Sequence, residues 1–200
     1  MDLKKGIQEI DFADINMAGL FGEGVNNAIE GLSQMAGREV KVVSMDIKKV
    51  PVKDIPDLFG GPEALIIAIY VEIFGKANAN GHMVVVYRPE VAFGLVDLLL
   101  DQPSGSTTEL NDMENSTLGE VGNIMGSFFL NYLSDTTGQR LKPSPPAVMM
   151  DMAGAVLDST LANILAYSDE TYVVDTVFGT TDRQVSGTFM IIPDPNMEAG

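Results

Sequence analysis

The spacing of apolar and polar positions divides the chain into two runs of similar kind. A helical pattern over about 9–36 ends at Gly37, and REVKVVSMDI (38–47) follows as a strand. Pro51 and Pro56 mark a connection. ALIIAIYVEIFG (64–75) and HMVVVYRP (82–89) flank the turn NANG (78–81). Apolar, β-branched runs on either side of Asn/Gly punctuation predict paired strands. A short helix, VAFGLVDLLLD (91–101), closes the first run. The second run opens with a helical pattern over about 108–136 that stops near Gly138, a residue suited to a C-cap. RLKPSPPAVMMD (140–151) is too rich in proline for a central strand and predicts an edge or extended segment. GAVLDSTLANILAYS (154–168) predicts a helix, and TYVVDTVFGTT (171–181) with VSGTFMIIPDP (185–195) a second strand pair.

The two runs align. TTGQRLKP at 136 lies over MAGREVKV at 35, an offset of 136 − 35 = 101, and FGKANANGHMVVV resembles FGTTDRQVSGTFMII. Duplicated α/β halves share one sheet and one core. The expectation is therefore one domain over 1–200, with internal repeats at about 9–101 and 107–195. The polar stretch DQPSGSTT (101–108) is short and reads as the join between them.

The second helical pattern carries an unusual face. At about 100° per residue, Leu110, Val121, Met125, Phe128 and Tyr132 fall within about 60° and predict the core stripe, with Glu114 intruding on it. Ser116, Glu120 and Asn123 cluster on roughly the opposite side. Gly119, Gly122 and Gly126 occupy the flank between, where missing side chains let another backbone approach. A different reading takes Thr117 and Glu120 as a capping box at a helix start. Leu110, already on the stripe, favours a start near Thr107 or Thr108.

Charge and composition narrow the function. Acidic residues number 28 against 12 basic, a formal charge of −16. Nucleic acid and anionic membrane surfaces are poor partners for such a chain. There is no cysteine, which excludes disulfides and cysteine-based metal sites. The single histidine, His82, sits where a turn enters a strand and reads as a surface residue. Nucleotide-binding and hydrolase motifs are missing. Ala64–Val71 is too short to span a bilayer, and MDLKKGIQEIDF lacks a signal-peptide core. These features predict a cytoplasmic protein.

Ser116, Glu120 and Asn123 also match a motif. The spacing Asp/Ser-x3-Glu-x2-Asn, then 22 residues and a proline, resembles the signature of the CheC/CheX/FliY phosphatases of chemotaxis, with Pro146 in the last position. GEVGN, MMDMAGAVLDSTLANIL and the internal repeat extend the resemblance to CheC over most of the chain. It implies a CheC-like α/β (α+β) fold with pseudo-twofold halves and a mainly antiparallel sheet packed with helices. It implies removal of the phosphoryl group from the aspartyl phosphate of a CheY-like response regulator. Asn123 would orient the attacking water, an amide being able to accept from water while donating elsewhere. Glu120 would meet a cation on the regulator, most simply a lysine. Ser116 and Pro146 would support the site. The chain itself would bind no cofactor, and Mg2+ would be held by the regulator. A CheD-like protein is a further candidate partner.

At the offset of 101, Ser116, Glu120, Asn123 and Pro146 map to Ile15, Gly19, Gly22 and Met45. Glu23 and Asn26 repeat the E-x-x-N spacing one turn later without its other members. One active site is expected, in the second half. The competing reading is a non-enzymatic adaptor that docks a regulator, a CheD-like partner or a flagellar switch component. With no obvious regulator-binding peptide at the N-terminus, a FliY-like assignment ranks below a CheC-like one.

Overall fold

A computed structural model describes residues 12–75, 80–161 and 169–193. The chain runs through α1 (Phe12–Ala36), β1 (Lys41–Pro51), a 3-10 turn (Val52–Asp54), α2 (Ile55–Leu58), β2 (Leu65–Gly75), β3 (Gly81–Tyr87) and α3 (Pro89–Leu99). It continues through α4 (Asp112–Thr137), β4 (Leu141–Pro143), β5 (Ala147–Met152), α5 (Ala153–Leu161), β6 (Glu170–Gly179) and β7 (Gln184–Pro193). Asn78 and Ala79 of the NANG turn and the end of the helical pattern at 154–168 lie outside the described residues.

The strands form one sheet in the order β1-β6-β7-β3-β2, with β4 and β5 in succession along the outer edge of β2. Every pairing is antiparallel, as the resemblance implied. Strands β3 and β7 meet at the centre. Each half contributes its hairpin, β2–β3 or β6–β7, and sends its first strand to the other half: β1 pairs with β6, and β4 and β5 with β2. The repeat extends to single hydrogen bonds. Ser33 Oγ accepts from Val40 N at 2.9 Å, and Ser134 Oγ accepts from Leu141 N at 3.2 Å. Both long helices end at a left-handed glycine, Gly37 (φ 62°) and Gly138 (φ 72°).

Because side chains alternate across a strand, each strand feeds two cores. Ile67, Ile69, Val71 and Val174 face α1, α3 and α4, whereas Ile66, Ala68, Val173 and Met190 face α2 and α5. The helices α1 and α4 cross closely because α1 supplies glycines. A Cβ at Gly24 would lie 2.7 Å from Phe129, and one at Gly31 would lie 2.8 Å from Phe128. Asn27 Nδ2 donates to the Phe128 carbonyl at 3.0 Å. Among the described residues, no helix is long and apolar enough to cross a membrane.

Three readings of α4 need correction. It begins at Asp112, capped by Asn111, whose N–H donates to Glu114 Oε2 at 3.1 Å. Glu114, which intruded on the stripe, is thus the N3 partner that reaches back to the cap. Thr107 and Thr108 lie before the helix, with the Thr107 N–H donating to Asp97 Oδ1 at 2.9 Å. The capping box at Thr117 and Glu120 also falls: Thr117 lies inside α4, its hydroxyl donating to Met113 O at 2.8 Å. The core stripe is wider than expected and displaced. Leu118, Phe129, Leu130 and Leu133 are buried with Val121 and Met125, whereas Phe128, Tyr132 and Leu110 are only partly so. The cause is packing on two sides, against α1 and against the sheet, where a wheel assumes one.

Candidate functional site

The site is built where α4 crosses the broken outer edge of the sheet. Gly122 and Gly126 allow the crossing. A Cβ at Gly122 would collide with Ile69 Cγ2 and lie 2.8 Å from Pro146 Cβ, and one at Gly126 would touch Val71 and Pro143 at 3.4 and 3.6 Å. These two glycines serve packing, as their flank position suggested. Gly119 does not: a Cβ there would meet nothing within 4 Å.

Edge strands β4 and β5 are interrupted at Ser144-Pro145-Pro146, since proline has no N–H to give to a ladder. Ser144 bridges the gap. Its N–H donates to Glu72 O at 2.8 Å, and its hydroxyl accepts from Glu72 N at 2.9 Å while donating to Pro145 O at 3.0 Å. A side-chain oxygen thus takes the place of a backbone carbonyl, and the Pro145–Pro146 step stands as a wall beside α4. Ser144 was not singled out from the sequence. Its only signal there is a hydroxyl residue set directly before two prolines.

Between wall and helix lies a cleft of about 600 Å³ whose floor includes Ser116, Gly119, Glu120 and Asn123. The structure brings all four motif residues together. Ser116, Glu120 and Asn123 are exposed, and Pro146 is half-buried against Gly122. Glu120 and Asn123 are three residues apart, so their side chains leave the same face of α4. The lining of the cleft contains no Lys, Arg, His or Cys. It therefore offers neither a thiol or imidazole nucleophile nor a cation to neutralise a phosphoryl group. What α4 offers there is two amides, Asn115 and Asn123, a carboxylate and a small hydroxyl, all exposed.

The corresponding place in the first half is closed. Gly22, which maps to Asn123, is buried, and a Cβ there would lie 2.6 Å from Ile47 Cδ1 and 3.5 Å from Met45 Sδ. Strand β1 runs through this region with only a bulge at Val42/Ser44, so no proline wall forms. Gly19 is exposed but carries no side chain, and Ile15 lies in α1. Glu23 is exposed and Asn26 half-buried on the next turn. His82 is remote from the cleft: its Nδ1 pairs with Tyr70 OH at 2.8 Å, and Tyr70 packs on the other sheet face.

The halves exchange strands around one sheet, and the exposed face of α4 presents amides and a carboxylate to the open cleft. The CheC-like family model matches residues 113–150, a span that contains all four motif residues. The chain is 25% identical over 198 residues to the CheY-P phosphatase CheC of Bacillus subtilis (strain 168), covering 97% of this chain and 93% of that one. Its fold is similar to FliY of Thermotoga maritima, with a TM-score of 0.68 at 19% identity over 94% and 93% of the two chains. It is also similar to a chain of the CheX–CheY–BeF3–Mg2+ complex of Borrelia burgdorferi, with a TM-score of 0.54 at 18% identity over 86% and 97%. Over nearly its whole length the chain is thus similar in sequence to a CheC protein, and its fold is similar to those of FliY and CheX.

Proposed function

We propose that this protein hydrolyses the aspartyl phosphate of a CheY-like response regulator, using the cleft beside α4. The observation that carries the reading is the exposed pair Glu120 and Asn123, presented at an open cleft whose lining holds no thiol or imidazole. An acyl phosphate is already activated, so its hydrolysis needs a positioned water more than a protein nucleophile. Phosphoryl transfer depends mainly on such alignment and on charge stabilisation. The Asn123 carbonyl accepts from the water and holds its oxygen in line with phosphorus. The new P–O bond forms as the bond to the aspartyl oxygen breaks, leaving the regulator's carboxylate and inorganic phosphate, which takes up the water's proton or passes it to solvent. Glu120 meets a lysine of the regulator and sets the docking register. Ser116 supports the face, and Pro146 bounds the cleft. Mg2+ belongs to the regulator's own site.

The name of the B. subtilis relative and the presence of CheY in the B. burgdorferi complex support the choice of substrate. The test is phosphate loss from a phosphorylated CheY-like regulator of the same organism. Wild type should accelerate it, and Asn123→Ala should abolish the acceleration while still binding. Acceleration that survives Asn123→Ala overturns the assignment and redirects attention to Glu23 and Asn26. The closed first-half site favours a second reading, an adaptor docking a regulator or a CheD-like protein. Binding without acceleration by the wild type would select it.

A further inference from the structure

Gly119 is anomalous among the α4 glycines. Glycine in a helix interior is unfavourable relative to alanine, chiefly through lost chain entropy. Gly122 and Gly126 offset this by admitting Ile69, Pro146, Val71 and Pro143. Gly119 has no such return inside the molecule, because a Cβ there would meet no atom within 4 Å. It nevertheless lies on the floor of the cleft, next to Glu120 and one turn before Asn123. Its neighbours on that floor, Asn115, Ser116 and Asn123, are all short, and Glu120 is the one long side chain of α4 at the cleft.

We propose that Gly119 is a docking determinant: its missing side chain lets the main chain beside the regulator's phosphoaspartate rest directly on the backbone of α4. The inference rests on the regulator-phosphatase reading and adds to it a residue that touches no reacting atom. The physical reason is reach. The amide of Asn123 stands on a single methylene, whereas the phosphoryl group it must reach is carried by another macromolecule. For the amide to orient a water on that phosphorus, the helix must approach the regulator nearly to backbone contact. A Cβ at position 119 would hold the two surfaces apart, and Asn123 would fall short. Gly122 cannot fill this role because it is buried beneath Pro146.

The substitution that tests this is unusually clean, since Gly119→Ala meets no clash in the free protein and favours the helix. Full-length wild type, Gly119→Ala and Gly94→Ala are compared. Gly94 lies in α3, is equally unobstructed and does not line the cleft. Four quantities are measured: the denaturation midpoint, the affinity for the beryllofluoride-activated regulator, and kcat and KM for dephosphorylation. Both variants should have midpoints at or above that of wild type. Gly119→Ala should weaken Kd and raise KM by about tenfold, the scale of one misplaced methyl in a close-packed contact, and Gly94→Ala should match wild type. If Gly119→Ala binds and turns over like wild type, the inference is overturned and the phosphatase reading stands. If wild type binds without accelerating, the phosphatase reading fails, and the affinity of Gly119→Ala alone decides the inference. If wild type neither binds nor accelerates, both fail.

Discussion

At the scale of single residues, the proposed reaction divides the work of the cleft between an amide that orients water and a carboxylate that meets a cation on the partner. Glu120 is exposed and has no cation beside it in the cleft, so its charge is available to a partner. An ion pair formed at the edge of an interface is screened by salt, with a Debye length of about 8 Å at physiological ionic strength. Glu120→Gln keeps the shape and removes the charge. We predict a fall in kcat/KM of roughly 3- to 30-fold, about 0.7–2 kcal/mol, between the values typical of exposed and partly desolvated pairs. The loss should lie mainly in KM, and kcat/KM should depend less on salt in the variant than in wild type. Equal salt dependence in the two proteins would mean that Glu120 meets no cation, and its assigned role would be withdrawn.

At the scale of elements, the site is a meeting of one helix and one broken strand, and the break is an active piece of construction. Ser144 closes the ladder opposite Glu72 while leaving Pro145 and Pro146 free to face α4. Ser144→Ala removes the acceptor for Glu72 N–H. That group is part-buried, so the cost should be about 1 kcal/mol, at the low end for an unsatisfied donor, and should appear as a lower urea midpoint at unchanged m-value. Loss of the clamp also frees Pro146, so phosphatase activity should drop further than stability does, and Ser144→Thr should restore both. If Ser144→Ala loses stability but keeps full activity, the wall does not position the site. Much of this level is legible in the sequence. The strand pairs, the glycine stops at 37 and 138 and the edge character of RLKPSPPAVMMD all follow from local residue chemistry. The start of α4 is not legible, because Thr107 and Asn111 are both hydroxyl or amide residues of the kind that precede helices, and the capping box that Asn111 forms with Glu114 was not singled out. The centre of its core stripe is not legible either, since that depends on α1 and the sheet pressing from two directions. Ser116, Glu120, Asn123 and Pro146 can be read as a group because a motif spacing is local along the chain. The role of Ser144 depends on its partner Glu72, which is distant in sequence.

At the scale of the whole molecule, the exchange of first strands means that neither half completes its share of the sheet alone. The join between the halves is tied from both sides. Asp97, in α3 and 1% exposed, accepts from the backbone N–H groups of Gly105, Ser106 and Thr107 at 2.7, 3.1 and 2.9 Å. Arg183, in the β6–β7 turn, donates to Gln102 O at 2.7 Å, and Arg38, after α1, donates to Leu98 O at 3.2 Å. Burial alone would raise the Asp97 pKa, but the hydrogen bonds from Thr107, Gly105 and Ser106 outweigh it and hold the carboxyl below its ordinary value. A group whose pKa is lowered by folding stabilises the native state above the unfolded-state pKa, near 3.8 for this residue. That contribution is complete at neutral pH and drains away as the pH falls below about 4. Asp97→Asn keeps the size but replaces one acceptor oxygen with a donor that opposes the loop N–H groups. We predict a loss of about 2–3 kcal/mol at pH 7, the range for breaking a buried charged network. The gap between variant and wild type should narrow between pH 4 and pH 3, as wild type loses what the variant never had. Because the join and the exchanged strands couple both halves, circular dichroism and tyrosine fluorescence should report one coincident transition in both proteins, shifted as a unit in the variant. Separate transitions for the two probes would show that the halves unfold independently. A constant gap from pH 7 to pH 3 would show that the Asp97 charge contributes nothing to holding the join.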